Sequence, residues 1–426
     1  MKKIKTYFLV SFLLFFWACV STNVDTEKHY KRKTNYASLY NPGSANINPK
    51  VRAYHASQNE TFLFFAVNLD NMMPVPGNDK KQGGGLELGL KYAIRNAETR
   101  EIADSATYYY SFEPDERGVF VNYVASKLKN DNHYFASVIF IDQVKKSHKR
   151  IILNIDKENK GSKGYYFPEY LEPERSPVLD NFISGTRKMR ITSDMINQDS
   201  IFRLRFPGDT ILPAPPYKTN SGKSSETDSM IVNYYHLGDT MTVDTAGYYF
   251  FTTDTASGNG LGLYKGSEFF PWIKQPGDMV NPVRYVSTKK QYENILEAEN
   301  TKLAVDKFWY DLAGTKDRAK ELIRVYYNRV QLANHFFTTE KPGWQTDRGM
   351  VYVVLGAPHE VYKDGGKEKW VYGASESHQG LVFNFIHDSS TLSNNAYLLM
   401  RDQRYKETWM NAVKSWKKGH PYSVPE

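Results

Sequence analysis

Only one cysteine, Cys19, occurs in 426 residues, so no disulfide within the chain is possible. Ten histidines are scattered, with no His-Glu-x-x-His run and no paired ligand spacing, which leaves no zinc signature and predicts no metal or cofactor. No Gly-x-Ser-x-Gly elbow and no phosphate-binding Gly-x-x-x-x-Gly-Lys is present, and no catalytic residue is assigned. Beyond the first eighteen residues, no apolar run is long enough to span a bilayer as a helix. The formal net charge is +8, and its basic residues are spread out apart from Lys28, Lys31, Arg32 and Lys33. A nucleic-acid protein concentrates its charge, so no nucleic-acid partner is expected.

The start of the chain carries the strongest chemical signal. Lys2, Lys3 and Lys5 precede a 12-residue apolar run at 7–18, and small Ala18 stands directly before Cys19. As a helix that run spans about 18 Å, short of the ~30 Å hydrocarbon core, which predicts an export signal at 1–18 rather than a membrane span. Cys19 at its end resembles a bacterial lipobox, although Phe16 and Trp17 stand where that motif usually has Leu and a small residue. The resemblance implies acylation (palmitate class) at Cys19 and anchoring to the outer membrane through lipid. Residues 20–25 form no acidic cluster, which favours the periplasmic face over the cell surface.

What the chain does have is aromatics, 15% of residues, mostly its 31 tyrosines and 24 phenylalanines. Both suit the half-buried faces of strands. Residues 19–47 are polar and predict a tether. From 48 to 158 short strands alternate with turns, at 61–69, 86–94, 106–112, 118–124, 134–141 and 150–155, predicting a β-sandwich-like domain. Leu86, Leu88, Leu90, Tyr92 and Ile94 keep strict period two. Residues 159–180, rich in Gly and Pro, predict a linker. A second β-rich domain is expected at 181–286, interrupted by a loop at about 207–229.

From 287 to 426 the pattern becomes α+β. Two helices are predicted at about 288–313 and 316–337, then strands at 350–355, 368–372, 381–387 and 396–400, and a closing helix at 407–416. The fold class is thus mainly β, then α+β.

At the junction of these helices and strands stands Gly343-Trp344-Gln345-Thr346-Asp347-Arg348-Gly349, running on to Gly356-Ala357-Pro358. With Phe308-Trp309 and 329–334 upstream and Trp370-Val371-Tyr372 downstream, this stretch resembles the GWxTD domain, a bacterial family. The resemblance implies an envelope protein, often a lipoprotein with β-domains ahead of the named domain, and no established reaction. Read physically, Gly343 suits a sharp turn, Trp344 suits docking beneath it, and Gly349 suits entry of the chain into the first strand. Thr346 and Asp347 suit acceptors for backbone N–H groups, and Arg348 suits pairing with a carboxylate, while Glu360, Asp364 and Glu368 are candidates by proximity alone for a second carboxylate beside Asp347. The same residues could instead form a partner-binding surface.

His359, His387, the oxygen-rich loop at 254–260 and Tyr108-Tyr109-Tyr110 read as ordinary surface features. The expected role is a non-enzymatic scaffold or accessory subunit docking on envelope proteins. The alternative is binding or processing of envelope carbohydrate, which requires two carboxyl groups about 5–10 Å apart in a concave site.

Overall fold

The computed structural model describes residues 34–75, 84–208, 211–219, 230–373 and 381–423. Cys19, the signal-like segment and most of the expected tether lie outside them. Described residues from Asn35 onward form one compact unit with several cores.

Alternating residues build the first sandwich from β1 (Lys50–Ser57), β2 (Glu60–Asn68), β3 (Leu86–Asn96), β4 (Ile102–Phe112), β5 (Val119–Lys127), β6 (His133–Asp142) and β7 (His148–Asp156). They pair antiparallel in two sheets, β1-β2-β5 and β4-β3-β6-β7. Leu86, Leu88, Leu90, Tyr92 and Ile94 of β3 are buried as the period-two reading expects, with Glu87 and Lys91 outside. They share one core with Leu63, Phe65 and Val67 of β2.

A second pair of sheets follows: β8 (Phe167–Tyr170), β9 (Ser176–Pro177), β10 (Phe182–Ile183), β11 (Lys188–Thr192), β12 (Ser200–Phe206), β13 (Ile231–His236), β14 (Met241–Thr242), β15 (Gly247–Thr252) and β16 (Leu261–Lys265). Their orders are β14-β11-β8-β9 and β10-β16-β15-β12-β13. The stretch expected as a linker supplies β8 and β9 and buries Tyr165, Tyr166, Tyr170 and Val178. Its aromatics outweigh its Gly and Pro punctuation. β15 is buried at every residue, because both of its faces are covered. Tyr249 and Phe251 face the core shared with β11, whereas Tyr248 and Phe250 join Phe270 and Leu392 of the C-terminal part.

The C-terminal part holds α1 (Pro276–Val280), α2 (Lys289–Leu296), α3 (Thr301–Ala313), α4 (Lys316–Phe337), α5 (Asp347–Leu355), β17 (Glu360–Asp364), β18 (Lys367–Tyr372), β19 (Leu381–His387), β20 (Tyr397–Leu399) and α6 (Lys406–Lys417). A capping box of Thr288 and Gln291 starts α2. Gly314, with φ 74°, ends α3 in the left-handed conformation that glycine adopts without strain. Leu322, Tyr326, Val330, Ala333 and Phe337 form the buried stripe of α4. The four strands form a meander in sequence order.

Two differences from the sequence expectation bear on the site. The stretch 350–355, expected as a strand, lies within helix α5, all of whose residues are buried. Full burial removes the polar stripe by which a helix declares its period. In addition, the chain from Asn35 to Ile47 is not a free tether. Tyr36 N–H donates to Val361 O of β17 at 2.8 Å, and Asn35 Oδ1 accepts from Val361 N–H at 3.0 Å. The Tyr40 ring packs on Phe336, Phe337 and Trp370, and Ile47 enters the first sandwich core. This N-terminal strap joins the C-terminal part to the first sandwich.

Candidate functional site

The Gly-Trp-x-Thr-Asp residues occupy the bend between α4 and α5. Thr338 just past α4 donates its hydroxyl to Asn334 O at 2.5 Å and accepts from Gly343 N–H at 3.1 Å. Asn334 Oδ1 receives Trp344 N–H at 3.3 Å, and its Nδ2 donates to Pro271 O at 3.1 Å. Gly343, Trp344 and Gln345 make one 3-10 turn against α4. A Cβ on Gly343 would lie 1.9 Å from Ala333 O, so only glycine permits this approach. Trp344 is buried, with its ring edge-on to Tyr285, whose hydroxyl donates to Trp344 O at 2.8 Å.

Thr346 is the N-cap of α5. Its hydroxyl accepts from Gly349 N–H at 3.0 Å and donates to Gly343 O at 2.7 Å, tying the turn to the helix it starts. Such a cap is worth about 1 kcal/mol. At the far end, Arg329 donates to Val353 O at 3.4 Å and to Val354 O at 3.2 Å, covering carbonyls that the helix leaves unpaired, and to Tyr422 O at 2.9 Å.

Asp347 and Arg348 point to different partners. Asp347 Oδ1 accepts from Arg401 Nη2 at 2.6 Å and Oδ2 from Arg401 Nη1 at 3.1 Å, a two-pronged pair with little exposure on either side. Oδ2 also accepts Leu399 N–H at 2.7 Å, so Asp347 grips β20 by its backbone. Leu399 points inward and is buried, leaving its neighbours Leu398 and Met400 53% and 52% exposed.

Arg348 Nη1 donates to Glu368 Oε2 at 3.1 Å, and Nη2 donates to Asn395 O and Oδ1, both at 2.6 Å. Its guanidinium also lies over the rings of Tyr397 and Phe337. Glu368 is fully enclosed and receives Lys363 at 3.4 Å and Trp370 Nε1–H at 2.7 Å. Burial alone pushes the Glu368 carboxyl up, but Lys363 and Arg348 outweigh it and hold it down at about 2. The strap completes this cluster: the Tyr40 hydroxyl accepts from Lys363 at 3.0 Å and from Arg348 at 3.4 Å. Burial first, and then Glu368, push that hydroxyl up to about 12.

The structure therefore brings together Gly343, Trp344, Thr346, Asp347, Arg348 and Gly349, and carries Glu368 to Arg348. Glu360 instead accepts from the Tyr362 hydroxyl at 2.7 Å, and Asp364 lies exposed at the β17–β18 turn. His359 Nδ1 accepts Gly373 N–H at 2.7 Å, and His387 packs edge-on against Tyr397. In the 254–260 loop, Asp254 Oδ1 accepts Ala256 N–H. Among the described residues, no three His, Cys, Asp or Glu side chains come together as a metal would need. Sequence reasoning missed Tyr40, Asn395 and Arg401, which lie far from the motif along the chain, and Lys363 closer by, none of which carries a pattern of its own. Asn334 was within the upstream stretch that the family resemblance covers.

A mainly β protein closed by an α+β domain, with a buried polar network at the bend between two helices, is what fold and site define. Residues 247–418 match the family model for the GWxTD domain, and the chain carries that domain. The match begins at β15, so the domain includes the sheet strand that packs against its own helices. No curated protein matches the chain. Among solved structures, it is similar to a putative β-galactosidase from Bacteroides fragilis at 14% identity and TM-score 0.18, over 25% of this chain and 16% of that one. A β-glucuronidase from Bacteroides uniformis is similar at 11% identity and TM-score 0.18, over 34% of this chain and 14% of that one. The chain spans less than a fifth of either length, and likeness at that level carries no argument about fold or activity.

Proposed function

We propose that this chain is a lipoprotein of the outer membrane, acylated at Cys19 and facing the periplasm, that serves an envelope assembly as a non-enzymatic scaffold or accessory subunit. The anchor rests on the N-terminal sequence. No described helix is long and apolar enough to cross a membrane, which is compatible with attachment through lipid.

The observation that carries the docking role is an apolar patch on the outer face of the C-terminal sheet. Ile386 of β19 pairs directly with Leu398 of β20, and Met400 follows Leu398 on the same side. All three are between 41% and 53% exposed. Contiguous apolar surface of this kind marks sites where another protein docks. The motif supports the patch from beneath, because Asp347 fixes the register at which Leu398 and Met400 face outward.

The test is purification of the C-terminally tagged full chain from membranes in mild detergent, with companions identified by mass spectrometry. A stoichiometric envelope protein is expected, and Leu398→Lys should release it without unfolding the chain. A solitary protein, or companions indifferent to Leu398→Lys, would overturn docking through this patch. Cys19→Ser should separately release the protein from membranes and abolish acyl labelling; unchanged retention and labelling would refute the anchor.

A further inference from the structure

A strand at the edge of a sheet offers a row of unpaired backbone N–H and C=O groups, which proteins blunt with charge, shortness or a covering segment. Most described edges of this chain are blunted in one of these ways. β1 carries Lys50 and Arg52, and β7 carries Lys149 and Arg150. β4 and β5 meet where Asp104 Oδ2 accepts Lys127 N–H at 2.8 Å. β9, β10 and β14 are two residues long and β20 is three. The strap occupies β17 at Val361.

β13 is the exception. It closes the order β10-β16-β15-β12-β13, and among the described residues β12 is the one strand it pairs with. That pairing runs in unbroken register from Ile231 opposite Arg205 to His236 opposite Ser200, with no bulge to turn the edge aside. From Met230 to His236 the chain has no Lys, Arg, Asp or Glu. Met230, Ile231, Val232 and Tyr234 are between 45% and 72% exposed. Asn233 is exposed among them, and within β13 only Tyr235 is buried, so both faces are open at 231–234. Val232 and Tyr234 share one face, where the Tyr234 ring lies 5.2 Å from that of Phe202 on β12.

We propose that β13 is a self-association edge, to which a second copy of this chain adds its own β13 antiparallel across a twofold axis. Such an axis stands perpendicular to the sheet and keeps each face on its own side, so odd positions meet odd and even meet even. Centring it on Asn233 matches the whole uncharged run 230–236 with itself. Val232 then stands opposite Tyr234 of the second copy, and Tyr234 opposite its Val232, two β-branched–aromatic pairs of the kind that stabilise sheets. The apolar row of Phe202 and Tyr234 continues into Val232 and Leu204 of the second copy. The choice of occupant follows from this match. An edge bearing lysines repels its own twin, whereas a run without charge, with valine and tyrosine two residues apart, is complementary to itself. The contact is separate from the apolar patch at Leu398 and from the lipid anchor.

Sedimentation velocity of the full chain in detergent, over a series of concentrations, tests this. A reversible dimer is expected. Asn233→Lys sets two lysines directly opposite each other, and Asn233→Asp two carboxylates, so each variant alone should weaken the dimer by at least about tenfold. An equal mixture of the two should regain it, because every lysine then faces an aspartate. Leu398→Lys should leave the dimer unchanged. Asn233 is exposed, so neither variant empties a core, and the circular dichroism spectrum of each should match that of the parent chain. A parent chain that stays monomeric, a dimer that survives Asn233→Lys or is lost in Leu398→Lys, or a mixture that stays monomeric would overturn the proposal.

Discussion

The carbonyl oxygen of Gly343 occupies the place a side chain on Gly349 would need, only 1.8 Å from the position of its Cβ. The two glycines of the motif are therefore a matched pair that lets the 3-10 turn and the first turn of α5 touch backbone to backbone. Neither atom can rotate away. Gly349→Ala should destabilise the protein by about 3 kcal/mol, at the upper end of the usual overpacking cost. Urea unfolding followed by circular dichroism measures this, and an unchanged midpoint would refute the steric reading.

Asp347→Asn removes the charge that Arg401 meets through both of its terminal nitrogens. Breaking an enclosed ion pair leaves its partner uncompensated, so a loss of about 3 kcal/mol is expected. Arg401→Met in the Asp347→Asn background should recover part of that loss, because the stranded guanidinium is then gone. Hydrogen exchange adds a local readout. The Leu399 amide, which donates to Asp347, should exchange faster in Asp347→Asn than the amides of β18.

Tyr40 tests the strap. Its ring lies against Phe336, Phe337 and Trp370, and Tyr352 donates its hydroxyl to Tyr40 O at 2.9 Å. Tyr40→Ala should cost about 3–5 kcal/mol, the range for emptying a buried aromatic site. Tyr40→Phe keeps the ring and loses only the hydroxyl, so a much smaller loss is expected. Equal effects of the two variants would show that the hydroxyl, rather than the packing, holds the strap.

Stability should also fall as the medium is acidified. His55 is buried, accepting at Nδ1 from Thr61 Oγ1 and donating from Nε2 to Asp156 O. Burial first, and then Lys157, pull its pKa from 6.5 to about 4. Below pH 6.5 the unfolded chain takes up a proton that the native imidazole refuses until about pH 4. Stability contributed by neutral His55 is thus fully present above 6.5 and lost progressively down to about 4, by about 3 kcal/mol in all. Thermal unfolding between pH 7 and 4 should show this slope, and His55→Gln should flatten it. An imidazole resonance of His55 titrating near 6.5 would refute the assignment.

Strands with one wet face were legible because their side chains alternate, and β3 shows the pattern plainly. Helix α4 was legible for the corresponding reason, its apolar stripe recurring every three to four residues. Helix α5 was not. Met350-Val351-Tyr352-Val353-Val354-Leu355 is β-branched, aromatic and uninterrupted, and a short apolar run has the same appearance in a buried helix as in a buried strand. The cue that separates them is Thr346 followed by Asp347, an N-cap and an acid in the first turn. Of the site, sequence located the motif and the pairing of Arg348 with a carboxylate. Arg401, Asn395 and Tyr40 reach the motif only through the fold, and no local spacing announces a contact with Arg348 from more than three hundred residues away.

The strap also sets an order on biogenesis. Residues 35–40 leave the ribosome well before their seat, since Val361, which Asn35 caps, emerges 326 residues later, with Trp370 after it. Until then Asn35 and Tyr36 have no strand edge to join, and the first sandwich must close without them. Their docking therefore waits on segments made much later, and a nascent chain stopped before Trp370 leaves the strap unseated however well its β-domains have formed.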